Sequence, residues 1–246
     1  MKYSLAYIAA VLSCGVAVAQ EAQPVQKECC NAFKLDFATT AALYSFDSND
    51  VTTVSEKFTF KWDDKLTFDV EIPFYNNGTE TGVGDVDFSA TYDFYNTKIE
   101  SLNANFGFDA VFGVQVPLDG EYSSGEEVFH LGGVFDLSWE KITLSQTVEY
   151  QFVNSYTYSP IFNGLISEDI YTGVTTFAYQ VHKDMSFCVN GTQSHSGDFD
   201  SFLLGPSVVW NWKNINGHVG VDFPLNYSVK AEDLDAVVSA GIGFEF

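Results

Sequence analysis

Apolar and polar residues alternate one by one over most of this chain. In the segment DVDFSATYDFY, from Asp85 to Tyr95, apolar or aromatic residues occupy the even positions, and Asp, Ser or Thr occupies the odd positions up to Asp93. An alternation with period two sorts side chains onto the two faces of a β-strand, whereas a helix would mix them on every side. The segment therefore predicts a strand with one apolar face.

The same alternation recurs along the chain and predicts twelve strands. They are Phe33–Phe46, Val51–Trp62, Leu66–Tyr75, Gly84–Tyr95, Leu102–Val116, Val128–Trp139, Ile142–Val153, Ile170–His182, Met185–Gln193, Phe202–Trp212, Ile215–Tyr227 and Leu234–Phe246. Most exceed the about five or six residues of a soluble strand and approach or exceed the roughly nine to eleven that cross a membrane. The pattern favours an all-β fold, a single antiparallel up-and-down transmembrane β-barrel over residues 33–246.

The connections between these strands alternate in length. Residues 63–65, 96–101, 140–141, 183–184 and 213–214 form short connections, whereas residues 76–83, 117–127, 154–169 and 194–201 form longer ones rich in Gly, Ser, Asn and acids. Short turns at one end and long loops at the other are typical of barrels in bacterial outer membranes. An even strand number places both termini at the short-turn end, which we expect to face the periplasm.

A soluble β-sandwich would show the same alternation with its apolar face inward. The tryptophans favour the membrane barrel, because all four lie on the apolar face at strand ends beside short connections. Trp and Tyr prefer the interface between membrane and water, where the ring is in apolar surroundings and its polar atom stays hydrated. The aromatic girdle predicted from these positions comprises Trp62, Phe94, Trp139, Tyr179, Trp210 and Trp212.

If the apolar face meets lipid, the polar face encloses a lumen. We expect no charged residue on the apolar face, because a lipid-facing Lys or Arg at mid-depth costs about 2–4 kcal/mol. The acids expected to line the lumen are Asp36, Asp69, Glu71, Asp85, Asp87, Asp93, Asp109, Asp136, Glu149, Asp222 and Glu245. The bases expected there are Lys34, Lys57 and Lys61, together with His130 and His218, for which the spacing identifies no partner.

An excess of inward acids predicts a negative potential that concentrates cations. The leading hypothesis is a passive channel or transporter for small solutes, with an acidic lumen that favours cations. A second hypothesis is a structural or adhesive protein that contacts partners through its long loops, chiefly 154–169 with Tyr156, Tyr158 and Phe162. A third is a membrane-embedded hydrolase using His195, although the flanking Ser194 and Ser196 would point to the opposite face of a strand.

Both ends of the sequence carry expected targeting features. Residues 1–19 resemble a secretory signal peptide, with an apolar stretch and the small-x-small site Ala17-Val18-Ala19, and Cys14 leaves a lipoprotein signal as an alternative. Residues 20–32 are expected to form a short periplasmic leader. The alternating Ile242, Phe244 and Phe246 resemble the terminal signal by which the assembly machinery of the outer membrane recognises barrels.

The charge balance and the cysteines narrow the possible partners. The net charge is −22, and all eleven basic residues are Lys, which argues against nucleic acid because phosphate binding needs clustered Lys or Arg. The cysteine spacing matches no metal site, and we expect neither a metal nor a cofactor. A disulfide between Cys30 and Cys188 is one option in an oxidising compartment. The expected partners are outer-membrane lipid, the assembly machinery and small solutes.

Three stretches resemble the outer-membrane transporter family of the phenol meta-cleavage pathway (MetA-pathway of phenol degradation). GVGDVDFSATYDFY (82–95) is similar to the family's Gly-x-Gly-Asp start of a strand, and LLGPSVVWNW (203–212) resembles a late Leu-Gly-Pro strand. FGVQVPLDG (112–120) resembles its Gly-x-x-x-Pro-x-Gly strand end, with Leu118-Asp119 in place of the commoner Thr. The resemblance implies a transporter-like barrel and names no substrate.

Overall fold

The computed structural model describes residues 34–46, 50–62, 65–118, 120, 122–154, 156–159, 164–197, 199–228 and 234–246. Within these ranges the chain is almost entirely strand, with one short 3₁₀ helix at Glu100–Leu102. The strands are β1 (Lys34–Phe46), β2 (Val51–Lys61), β3 (Leu66–Asn76), β4 (Thr81–Val83), β5 (Val86–Ile99), β6 (Ala104–Val116), β7 (Val128–Trp139), β8 (Ile142–Phe152), β9 (Thr157–Ser159), β10 (Gly164–Ile166), β11 (Ile170–His182), β12 (Met185–Ser196), β13 (Phe199–Trp212), β14 (Ile215–Ser228) and β15 (Leu234–Glu245).

Twelve of these strands close into a barrel, as predicted. The hydrogen-bonded order runs β2-β1-β15-β14-β13-β12-β11-β8-β7-β6-β5-β3, and pairing of β3 with β2 completes the circle. All neighbours are antiparallel, so β1 begins and β15 ends on the same side, which we call the terminal end. The long connections lie on the opposite side, which we call the loop end. β4 pairs only with β3, and β9 and β10 form a separate hairpin. No helix in the described ranges is long and apolar enough to cross a membrane.

The apolar face of the sheet points outward. Phe88 on β5 is 44% exposed, whereas the acidic Asp222 on β14 is only 2% exposed. Phe68, Leu131 and Leu144 are likewise exposed on the outside of the barrel. A sandwich would bury these side chains, so the arrangement excludes the soluble alternative and turns the Asp-rich face toward the lumen.

Two connections differ from the sequence-based expectation. The predicted long loop 194–201 is wrong, because β12 continues to Ser196 and β13 begins at Phe199, with Gly197 at a positive φ of 36° in the tight turn. The polar residues of this segment belong to the ends of β12 and β13 near the turn, where both the inward and the outward face of each strand carry polar side chains. The connection expected at 96–101 is also shorter, because β5 continues to Ile99 and bulges between Asp93 and Tyr95.

The expectation of an uncharged outer face is wrong at Glu56. This residue lies halfway along β2 on the same outward side as Trp62, and it pairs across the sheet with Thr39 of β1. The Thr39 hydroxyl donates a hydrogen bond of 2.8 Å to Glu56 Oε2. A polar neighbour on the same face thus supplies part of the hydrogen bonding that lipid cannot give the carboxyl group.

Candidate functional site

The inward-facing acids are concentrated on one part of the barrel wall. We call the inward face of β1–β3 and β5–β8 the charged wall. It carries Asp36, Asp69, Glu71, Asp87, Asp93, Asp109, Asp136 and Glu149, and Asp85 lies just before β5. The remaining two predicted acids lie elsewhere: Asp222 is inward on β14, and Glu245 lies at the terminal end of β15.

Lys57 and Lys61 of the charged wall form local ion pairs. Lys57 Nζ lies 3.1 Å from Asp69 Oδ2, and Lys61 Nζ lies 2.6 Å from Asp36 Oδ2. The Thr59 hydroxyl donates a further hydrogen bond to Asp69. Each lysine therefore neutralises one acid on a neighbouring strand, and both pairs lie on β1–β3.

His130 lies between two further acids, although sequence reasoning assigned it no partner. Its Nε2 is 2.9 Å from Asp87 Oδ2 and its Nδ1 is 3.5 Å from Glu149 Oε2. Neither nitrogen is aligned for a regular hydrogen bond, so the contacts are ion-pair contacts. The imidazole lies over Gly113 on β6, where a Cβ would come within 1.9 Å of Nε2. The absence of a side chain at Gly113 lets His130 reach across to β5.

Three carboxylates nearer the terminal end have no basic neighbour. Asp93 and Asp109 are direct partners across β5 and β6, and Asp136 lies on the adjacent β7, opposite Gly107. Within the described part of the chain, no Lys or His comes within ion-pair distance of any of the three. These three acids form a group on adjacent strands without an ion-pair contact among the described residues.

The opposite part of the wall is polar without charge. We call the inward face of β11, β12 and β13 the hydroxyl wall, because it consists largely of Ser, Thr and Asn among small apolar residues. The Thr176 hydroxyl donates to Asn190 Oδ1 at 3.1 Å, and Asn190 Nδ2 donates to Ser207 Oγ at 2.8 Å. This ladder joins three strands, and its members are buried.

Four tyrosines meet inside the loop end of the lumen. Tyr44 and Tyr75 point inward from β1 and β3, Tyr122 comes from the β6–β7 loop, and Tyr158 comes from the β9–β10 hairpin. The Tyr158 ring lies 4.8 Å from Tyr75 and 4.7 Å from Tyr122, both edge-to-face, and Tyr75 lies 5.3 Å from Tyr122. We call this set the tyrosine constriction. Sequence reasoning missed it and assigned Tyr158 to partner contacts outside the barrel.

Hydrogen bonds hold the loops of the constriction in place. The buried Asp85 carboxylate accepts the backbone N–H of Ser124 at 2.9 and 3.1 Å, which ties the β6–β7 loop to the start of β5. Asn154 Nδ2 donates to the carbonyl of Glu127 at 3.2 Å, which joins this loop to the one containing β9 and β10. Burial raises the pKa of the Tyr158 phenol well above its ordinary value, and Tyr122 adds to the effect. The constriction therefore stays uncharged at physiological pH.

The residues predicted as a girdle lie on the outer face toward the terminal end. Trp62, Phe94, Tyr179, Trp210 and Trp212 are exposed there, and Trp139 is half-buried. Phe94 is the residue at the β5 bulge, so that it and Tyr95 both face outward. At the end of the chain, Ile242 and Phe246 are exposed, Phe244 is half-buried, and the backbone N–H of Phe246 donates to the carbonyl of Leu35 at 2.9 Å.

Cys188 is fully buried on the inward face of β12. Its predicted disulfide partner Cys30 lies outside the described residues, as do the predicted signal peptide and leader, so these stay predictions. No group of three or more metal-binding side chains occurs among the residues that the structure describes.

The serines beside His195 do not share its face. His195 Nδ1 lies 2.5 Å from Asp200 Oδ1 on the outer surface near the loop end, and both side chains are more than half exposed. Ser194 and Ser196 are buried on the inward face of β12. The outward pair therefore has no nucleophile from these two serines, as the alternation indicated.

Solved structures of outer-membrane proteins share this fold. The chain superposes on an outer membrane channel from Pseudomonas putida F1 with a TM-score of 0.64 at 12% identity, covering 92% of this chain and 100% of that one. It superposes on the NanC porin with a TM-score of 0.59 at 11% identity, covering 87% and 99% of the two chains. For the KdgM porin in complex with disordered oligogalacturonate the TM-score is 0.55 at 11% identity, with the same coverages of 87% and 99%.

No protein-family model and no curated protein matches the sequence. The structural likeness shows a common barrel fold at identities near 11% and extends no further. The resemblance to the phenol-pathway transporters therefore stays a prediction.

Proposed function

We propose that this protein is a passive channel for small solutes in a bacterial outer membrane, and that it prefers cations. The observation that carries the proposal is the charged wall. Its lysines neutralise Asp36 and Asp69, whereas Asp93, Asp109 and Asp136 have no basic neighbour among the described residues. Fixed negative charge between low-dielectric walls raises the local concentration of cations and lowers that of anions.

The outer surface supports a position in the membrane. An apolar face with aromatic residues toward the terminal end suits a bilayer, with lipid as the direct partner. In this proposal the terminal end faces the periplasm, and Ile242, Phe244 and Phe246 are read by the assembly machinery. The channel itself needs no cofactor, because transport is passive.

The same charges argue against large anionic solutes. The KdgM porin was solved in complex with oligogalacturonate, a polyanion. The present chain contains no Arg, the residue best suited to bidentate carboxylate binding, and its lumen presents carboxylates. A polyanion would meet like charges at Asp93, Asp109 and Asp136, which have no basic neighbour among the described residues.

Reversal potentials in planar bilayers test cation preference. We expect the refolded protein in a KCl gradient to favour K⁺ over Cl⁻, and the triple variant Asp93→Asn, Asp109→Asn, Asp136→Asn to lose most of this preference. Glu100→Gln is the matched control, because Glu100 lies in the 3₁₀ turn outside the lumen. A wild-type channel that prefers Cl⁻ would refute the proposal.

The structure supports the other two hypotheses less well. The adhesive hypothesis relied on Tyr156, Tyr158 and Phe162, but Tyr158 is turned into the barrel and Phe162 lies outside the described residues. The hydrolase hypothesis lacks a nucleophile from Ser194 or Ser196, whose side chains lie on the opposite face from His195.

A further inference from the structure

The tyrosine constriction is a ring of aromatic side chains at the loop end of the proposed path. Tyr44 and Tyr122 are 3% and 4% exposed, and Tyr75 and Tyr158 are half-buried. The close approach depends on two glycines, because a Cβ on Gly82 would lie 2.7 Å from the Tyr122 ring and one on Gly84 would lie 2.3 Å from the Tyr75 ring. The backbone of β4 is thus shaped to admit these rings.

Apolar side chains continue the seal around the tyrosines. Ala42, Phe46, Val51, Leu203, Leu234 and Val237 form one buried cluster with Tyr44. A second cluster joins Ile166 of the β9–β10 hairpin to the wall residues Val128, Val153 and Ile170. Among the described residues, a solute that passes between these rings exchanges ring–ring contacts for contacts between itself and the rings.

Three carboxylates, those of Glu71, Asp85 and Asp222, lie near the tyrosine constriction. Glu71 and Asp222 lie close enough to Tyr44 to interact with it electrostatically, and Glu71 and Asp85 do so with Tyr75. An aromatic face attracts a cation through its quadrupole, most strongly when the cation is desolvated. A strongly hydrated ion loses more hydration energy on entering such a site than an organic cation does, since burying a charge without replacement partners is costly.

We propose that the tyrosine constriction makes the channel prefer weakly hydrated organic cations of the quaternary ammonium class over strongly hydrated inorganic cations of equal charge. The inference rests on the proposed channel function. It assigns Tyr75, Tyr122 and Tyr158 as residues that determine specificity, whereas the acids of the charged wall determine only the sign of the charge that is admitted.

Bi-ionic reversal potentials with tetramethylammonium chloride and lithium chloride test this assignment. We expect the wild-type ratio of tetramethylammonium to lithium permeability to exceed the ratio of their diffusion coefficients in water. Tyr158→Leu and Tyr122→Leu keep an apolar side chain but remove the aromatic face, and each should lower the permeability ratio by about threefold or more. Tyr158→Phe keeps the face and should keep the ratio. Tyr156→Leu, an exposed position in the same loop, is the matched control.

The possible outcomes separate the two proposals. If the permeability ratio is unchanged in both leucine variants while cation currents are still present, the tyrosines do not determine specificity. The proposed channel function is not affected by this result. A complete absence of current in the wild type and in every variant, with heat-modifiable gel mobility showing a folded barrel, overturns the channel and this inference with it. If Tyr158→Phe lowers the ratio of tetramethylammonium to lithium permeability as much as Tyr158→Leu does, the hydroxyl and not the ring face produces the preference. This result would also overturn the assignment.

Discussion

The charged wall and the hydroxyl wall enclose the same lumen but differ in chemistry and in accessibility. On the charged wall, the side chains of Asp87 and Glu149 are 24% and 28% exposed. On the hydroxyl wall, Asn190 and Thr192 are 7% and 1% exposed. Both walls follow the same alternation on strands of similar length. The difference in exposure between the two walls therefore arises from the identity of the inward side chains. We expect any water-filled path to follow the charged wall.

The comparison shows two ways of filling the interior of a barrel. Small hydroxyl and amide side chains pack against each other, and Thr176, Asn190 and Ser207 close hydrogen bonds within the wall. Carboxylates pack in this way only where a base or a hydrogen-bond donor accompanies each one, as Ser124 N–H does for Asp85, because buried unpaired charge is costly. Asp93 and Asp109 lack a base among the described residues, so they favour a hydrated space beside them.

The largest expected effect comes from adding one methyl group to a glycine of each wall. A Cβ on Gly205, on the hydroxyl wall, would lie 1.8 Å from the carbonyl oxygen of Val221, whereas on Gly113 it would meet the movable imidazole of His130. Overpacking against backbone costs about 1–3 kcal/mol and sometimes more. We expect Gly205→Ala to lower the free energy of unfolding in lipid vesicles by at least this amount, and Gly113→Ala to lower it less.

Urea unfolding of the refolded barrel, followed by tryptophan fluorescence and gel mobility, measures this difference. Gly107→Ala is the control, because its Cβ would meet only the Asp136 side chain, at an ordinary 3.8 Å. Equal destabilisation by Gly205→Ala and Gly107→Ala would contradict the close backbone approach on the hydroxyl wall.

Cysteine reactivity provides the second test of the comparison. Thr91 on β5 and Thr192 on β12 both point inward, but Thr91 is half-buried and Thr192 is fully buried. With Cys29 and Cys30 replaced by Ser, we expect Thr91→Cys to react with a small cationic thiol reagent more than about tenfold faster than Thr192→Cys, since reaction requires access to the thiolate. The native Cys188 should stay unmodified in the folded protein. A faster reaction at Thr192→Cys would place the path along the other wall.

The barrel and its two faces could be predicted because one physical constraint acts on every residue of a strand. Lipid on one side and a lumen on the other require a period of two, so Asp87 and Phe88 are assigned to opposite faces without knowledge of the neighbouring strands. The closed circle of twelve strands followed from the same pattern. Glu56 escaped notice because the outward run around it is apolar, and the stabilising Thr39 lies on another strand.

The constriction and the His130 contacts could not be predicted, because both depend on register and on loop packing. His130 meets Asp87 only because β6 places Gly113 between the two strands, and no local pattern encodes that alignment. Tyr122 and Tyr158 belong to loops without periodicity, so their direction is set by tertiary contacts such as the bond from Ser124 to Asp85.

The smallest expected effect tests the ion pairs within the charged wall. Lys57→Met removes the positive charge beside Asp69 while keeping most of the side-chain volume. The wall then carries one more unbalanced negative charge, so the ratio of K⁺ to Cl⁻ permeability should rise, by less than about twofold at 0.1 M salt because the pair is partly exposed and screened. The rise in the permeability ratio should be smaller at about 1 M salt, where the Debye length falls to about 3 Å.

Lys183→Met, in an exposed turn at the terminal end, is the control and should leave the permeability ratio unchanged. A shift toward Cl⁻ in Lys57→Met would mean that Asp69 does not face the path, and the division of the lumen into two unlike walls would then fail at β3.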